Sequence, residues 1–143
     1  MEKLIAVAQK AGTIGEVPIA SMVTDAQGNV LATAHNEVET RGDATAHAEL
    51  LALQMAMQAR GEKYLEGCTL TVTLEPCAMC AQAASLAKIS RIVFGAFDPK
   101  GGGVEHGARI FNQPTCHHIP EVIGGVMEKE CGELLTKFFS ARR

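Results

Sequence analysis

The sequence has no tryptophan, a single tyrosine (Tyr64) and no apolar run near the roughly 20 residues that a membrane-spanning helix needs. Its longest apolar stretches carry Ser, Thr, Gln or Lys every few residues, which argues against a helix that crosses a bilayer. Positive charge is not in surplus: 13 Lys and Arg stand against 16 Asp and Glu, for a net charge of −3. That argues against a strongly basic nucleic-acid binder and leaves room for a local basic patch only. No repeat or low-complexity tract is present, and Met1–Ile5 opens without the long apolar core of a secretory signal. The expected compartment is the cytoplasm. An odd count of five cysteines in such a chain argues against a disulfide framework and for metal or thiol chemistry.

What is present is the composition of a globular chain: 47% hydrophobic and 20% charged residues over 143 positions. That length suits one domain, 1–143, burying about 68% of its unfolded surface. Leu4, Ile5, Ala8 and Ala11 recur at helical spacing until Gly12 and Gly15. Val17–Thr24 and Val30–Thr33 flank the turn chemistry of Asp25–Asn29 and predict a hairpin. A polar loop follows from Asn36 to Asp43, then a buried helix over Thr45–Met57. Thr69–Leu74 alternates with period two, Cys77–Ala87 is Ala-rich and helical, and Arg91–Gly95 is again a strand. This strand–helix–strand run predicts a parallel βαβ unit and an α/β layered domain. A flexible loop begins at Asp98–Gly103, a weak strand lies near Glu121–Ile123, and a last helix covers Met127–Ala141. Gly101–Gly103 is no phosphate-cradling loop, because no Gly-Lys-Ser/Thr follows it, and it reads as a mobile rim.

Pro76-Cys77-Ala78-Met79-Cys80 is the segment that carries chemistry. A C-x-x-C is about a one-in-seven accident among five cysteines, and a preceding Pro lowers that to roughly one in two hundred. Residues three apart at a helix start face the same way, so both sulfurs reach one ion. The helix N-terminus also favours thiolate, the form that zinc binds. A catalytic zinc site wants a third protein ligand and leaves one position for water. His-x-Glu occurs twice, as His35-Asn36-Glu37 and His47-Ala48-Glu49. His47 opens a helix, as Cys77 does, and two helix starts side by side on one sheet can converge on one ion. His35 ends an exposed-looking strand. Glu49, two residues from His47, is placed to take a proton from water and return it to substrate. Water activated in this way attacks an electron-poor carbon, and at a C=N bond bearing an exocyclic amine the outcome is loss of ammonia.

Other readings of these residues stay open at this level. Cys77 and Cys80 also suit core cysteines, a redox dithiol, or half of a structural zinc site with Cys68 as the rival fourth ligand. Cys116, His117 and His118 form a second cluster, although neighbours on an extended segment point to opposite sides.

His47-Ala-Glu49 with Pro76-Cys77-Ala-Met-Cys80 resembles the signature of the zinc-dependent cytidine and deoxycytidylate deaminase superfamily. Glu16-Val-Pro-Ile19, Thr45–Glu49, Val72–Cys80, Val93-Phe-Gly95 and Phe138-Phe139 together resemble its bacterial tRNA-specific adenosine deaminase branch, over nearly the whole chain. Ala20 and Ala44 depart from the usual Gly and Pro of that branch. The resemblance implies a three-layer α/β/α cytidine deaminase-like fold, with a mixed five-stranded sheet flanked by helices, and a homodimer. It implies hydrolytic conversion of the wobble adenosine of a tRNA anticodon loop to inosine. It also implies one zinc per subunit on His47, Cys77 and Cys80, and no organic cofactor. In that reading Glu49 shuttles protons and the Cys77 backbone N–H steadies the hydrated intermediate. Asn36 contacts the flipped nucleotide, while Lys100, Arg109, Phe139, Arg142 and Arg143 face RNA. The same chemistry also suits a free base or nucleoside of guanine, cytosine or cytidine type. A third reading is a zinc-stabilised RNA-binding module without turnover.

Overall fold

In the computed structural model, which describes residues 1–142, a mixed five-stranded sheet lies between two layers of helix. The elements are α1 (Glu2–Thr13), β1 (Ala20–Thr24), β2 (Val30–His35), α2 (Val38–Arg41), α3 (Ala48–Arg60), β3 (Thr69–Leu74), α4 (Ala78–Leu86), β4 (Arg91–Ala96), β5 (Glu121–Ile123) and α5 (Glu128–Ser140), with one 3₁₀ turn at Ile110–Asn112. The strand order is β2-β1-β3-β4-β5. The hairpin strands β1 and β2 pair antiparallel, and β1 meets β3 antiparallel. The β3–α4–β4 unit is parallel as its pattern predicts, and β5 extends the parallel half.

Alternation along β3 and β4 puts Leu70, Val72, Ile92 and Phe94 on one face, each fully buried. Leu51, Ala52, Leu53 and Ala56 of α3 and Ala81 and Ala84 of α4 cover that face. Alanine-rich helices lie close to a sheet because there is no side chain to hold them off, so both helix starts come near the strand ends. The opposite face is closed by α1 and α5, with Leu4, Ala8 and Ala20 buried against Leu134. The weak strand and the last helix are present at their expected places.

Two local expectations change. β1 begins at Ala20 rather than Val17, because Pro18 offers no N–H to a ladder and Ile19 N–H bonds back to Val17 O at 2.8 Å. The polar Asn36–Asp43 segment holds the single turn α2, closed by Gly42 in the left-handed conformation.

The α5 layer approaches β4 at Gly95, where a methyl group would lie 2.7 Å from Thr73 O and 2.8 Å from Cys131 Cβ. Cys131 is accordingly a buried packing residue. Gly95→Ala should lower stability by about 1–3 kcal/mol through overpacking, read as an earlier urea midpoint at unchanged m.

Candidate metal and active site

The site forms at the carboxyl end of β3, where α3 and α4 both begin. His47 is the N-cap residue of α3 and Cys77 that of α4; both have extended backbone and neither side chain caps its own helix. Their side chains are therefore free to point at each other. Cys80, one turn into α4, is fully buried and on the same side as Cys77. His47 Nδ1 lies 3.6 Å from Cys77 Sγ and 3.7 Å from Cys80 Sγ. The three donor atoms lie within 4.8 Å of one another, and among the described residues no other group of three metal-ligating side chains is so close.

This donor set can be tested against zinc. Tetrahedral Zn–N and Zn–S bonds of about 2.05 and 2.3 Å set nitrogen and sulfur ligands about 3.6 Å apart. The observed separations match that edge. Two thiolates and an imidazole suit zinc, and three protein ligands are the catalytic pattern. Cys68 is no fourth ligand: it is buried elsewhere and takes a hydrogen bond of 2.8 Å from the Arg60 guanidinium. Cys116 and His118 are spent locally, on Ser85 and on Ile89 O, and His35 on Asn36 O.

The first residue of α3, Ala48, is held at both its N–H and its C=O. Asn36 Oδ1 accepts the Ala48 N–H at 3.0 Å, and Ser21 Oγ donates to Ala48 O at 2.7 Å. These two bonds fix the residue between His47 and Glu49, and so aim both side chains. Glu49 is 5% exposed, and burial pushes its carboxyl up to about 7. Without an ion, a hydrogen bond from Cys80 pulls the Cys77 thiol down to about 4, against the effect of burial, while Cys80 keeps its proton and moves up. His47 is raised, first by its bond to the Cys77 sulfur.

A cavity of about 390 Å³ opens on this cluster, lined among others by Asn36, His47, Glu49, Cys77 and Asp98. Of the residues expected to touch substrate, Asn36 lines it; Lys100 is exposed and does not line it, although Asp98 and Gly101 of the same loop do. Arg109 is exposed on a left-handed residue just before the 3₁₀ turn. Phe139 is exposed on α5, where Arg142 stacks 3.5 Å over Phe138. Arg142 and Phe138 line a separate, larger groove of about 560 Å³ between α1 and α5, away from the ligand cluster. Arg143 lies outside the described residues.

Two cavity-lining carboxylates escaped the sequence reading. Glu16 is 1% exposed and accepts hydrogen bonds from Glu39 N–H, Thr40 N–H and Thr40 Oγ1. Glu75 is fully buried and binds the 98–106 loop. That loop is pinned by Glu75 and is not a mobile rim. The one available signal was a charged residue in an otherwise apolar stretch.

Residues 1–96 match the cytidine and deoxycytidylate deaminase zinc-binding region. The chain belongs to this deaminase family. It is 48% identical to a tRNA-specific adenosine deaminase of Agrobacterium fabrum, over all of this chain and 93% of that protein. It is 45% identical to one of Bacillus subtilis, over the whole chain and 88% of the relative. A solved structure from a study of A-to-I editing by tRNA:A34 deaminases at the wobble position of transfer RNA superposes with a TM-score of 0.91 at 48% identity, covering 94% of this chain and 97% of that one. The family and the donor set agree on zinc. No helix among the described residues is long and apolar enough to cross a membrane.

Cys80, shifted upward by its hydrogen bond to Cys77 and by burial, holds a thiol proton that a metal must displace, and the upward shift of His47 adds to proton competition as pH falls. Zinc affinity should therefore rise with pH, and uptake near pH 7 should release about one proton or more. Titration calorimetry in two buffers of different ionisation enthalpy checks this.

Proposed function

We propose that this deaminase hydrolyses the wobble adenosine of a tRNA anticodon loop to inosine and ammonia, as a single domain over 1–143 that works as a homodimer in the cytoplasm. Full-length identity of 48% to a tRNA-specific adenosine deaminase carries this reading, together with an open cavity over a three-ligand site and a buried carboxylate. A free base or nucleoside is the alternative substrate, and nothing in the cavity favours it.

His47, Cys77 and Cys80 would hold the zinc, which would supply the Lewis acidity that lets a bound water lose a proton near neutral pH. Glu49 receives that proton. The water oxygen bonds to C6 of the purine as the N1=C6 double bond opens and Glu49 passes the proton to N1. The remaining hydroxyl proton then goes by way of Glu49 to the exocyclic N6, the C6–N6 bond breaks, and ammonia leaves behind the N1–H and C6=O of inosine. Burial raises this carboxyl above the usual carboxylate range, which suits a group that both takes and returns a proton. The N–H groups of the first turn of α4, Cys77 foremost, have no intrahelical acceptor and favour negative charge that develops beside them.

Asn36 spends its oxygen on Ala48, which leaves its NH₂ as the group offered to the nucleotide. An anticodon-loop base is unpaired, so presenting it in the cavity costs little. Lys100 and Arg109 meet the flanking phosphates in this reading, and Phe139, Arg142 and Arg143 meet RNA along α5 and beyond it.

Glu49→Ala should keep its zinc and lose about 10²- to 10⁴-fold in kcat, with ammonia release and metal content as the paired readouts. Incubation with tRNA bearing a wobble adenosine, beside free guanine, cytosine and cytidine, decides the substrate: inosine in the tRNA alone is expected, and turnover of a free base alone would sink the tRNA reading. Lys100→Ala should weaken tRNA binding and reduce the salt slope of log K by about 1, measured by filter binding across salt concentrations.

A further inference from the structure

Glu75 stands directly before the Pro76-Cys77 ligand turn, and its side chain has no solvent exposure. An unpartnered carboxylate there would be costly. This one is saturated. Its Oε2 accepts the backbone N–H groups of Val104, Glu105 and His106 at 3.2, 2.9 and 3.1 Å. Its Oε1 accepts Asp98 N–H at 3.0 Å and His106 Nδ1–H at 2.8 Å. All five donors come from one loop, 23 to 31 residues further along the chain.

The same loop sits on the start of α4. Gly103 N–H bonds to Pro76 O at 2.8 Å, and a methyl group on Gly103 would come within 2.6 Å of Ala78 Cα. Glycine is required by close approach here. Asp98 and Gly101 of this loop, with Glu75 itself, form one wall of the cavity above His47 and Cys77.

We propose that Glu75 is a positioning residue for the deamination: its carboxylate latches the 98–106 loop onto the start of α4, and the latched loop is the wall that sets where the base lies relative to Glu49. This role rests on the deamination proposed above. Lys100 rides on this loop, but the other tRNA contacts proposed above, Asn36, Arg109, Phe139 and Arg142, lie outside it, whereas the orientation of the base depends on the wall. Loss of the latch therefore acts on turnover more than on binding.

Two variants test this from opposite sides. Glu75→Gln places an NH₂ against donors on at least one side of the latch. Gly102→Ala leaves Glu75 intact but puts a methyl group onto its carboxylate and so pushes the loop away. In both, amide hydrogen exchange at Asp98, Val104, Glu105 and His106 should quicken by about tenfold or more, with zinc content and melting temperature near those of the parent. On wobble-adenosine tRNA, kcat should fall about 10- to 100-fold while KM stays within about threefold. The double variant should lose little beyond either single one, because both break the same contact. Unchanged loop exchange, or faster exchange with unchanged kcat, overturns the positioning role. Loss of zinc or of the folded state in both variants overturns it as well, since Glu75 would then hold the fold and not the wall. A parent protein that leaves wobble adenosine untouched removes the substrate reading and this role together. Parental turnover with unaffected variants removes this role alone.

Discussion

Two helix N-termini meeting at one end of a parallel strand pair are the constraint on which the site depends. An N-cap residue has extended backbone and a side chain that need not follow the helix, so His47 and Cys77 can turn toward a common point. Cys80 joins them because residues three apart share a helix face. The convergence holds only if α3 and α4 lie close to the sheet and to each other. Ala52 and Ala56 on one helix, and Ala81 and Ala84 on the other, make that possible, and all four are fully buried. The bonds from Asn36 and Ser21 to the Ala48 peptide then set the rotation of α3, which decides whether Glu49 faces the cavity.

Three buried glutamates border this cavity and differ in one respect, the number of donors each meets. Burial raises the pKa of any carboxyl. At Glu16 and Glu75 that effect comes first in size, yet the hydrogen bonds arriving from Thr40 and Glu39, and from Asp98, His106, Glu105 and Val104, together outweigh it and hold both below the usual carboxylate range. They stay ionised and act as anchors for the segments on either side of the cavity. Glu49 has no comparable set of donors, so burial wins and the group is poised near neutrality. The contrast between Glu49 and the two anchors thus tracks how many hydrogen bonds each buried carboxylate accepts.

Much of this was legible in the residue order. The period-two run of β3, the Ala-rich α4 and the β4 run predicted a parallel unit, and Pro76-Cys77-x-x-Cys80 placed two ligands at its turn. The choice of His47 over His35 followed from the helix start at 47. What stayed hidden depends on contacts without local pattern. α2 was not legible because no apolar periodicity marks a four-residue turn whose peptide groups are fastened by Glu16, 23 and 24 residues away. The anchoring role of Glu75, just past the Thr69–Leu74 strand, stayed hidden for the same reason, since its donors lie in a glycine-rich segment that locally looks mobile. Pro18 shortened β1 against an apolar pattern that by itself continued to Val17.

The two anchoring carboxylates also explain how a chain with little aromatic surface and a net negative charge can shape a cavity for a base. The walls come from backbone and not from stacked rings. A carboxylate that gathers four N–H groups of one loop rigidifies peptide units directly, where an aromatic platform would act through side-chain packing. The acidic groups responsible are buried or compensated, so they contribute to the net charge of −3 without presenting a repulsive face to phosphate. Lys100 and Arg109, by contrast, are exposed. An acidic chain can therefore fix this loop from within and still carry cationic side chains on its surface.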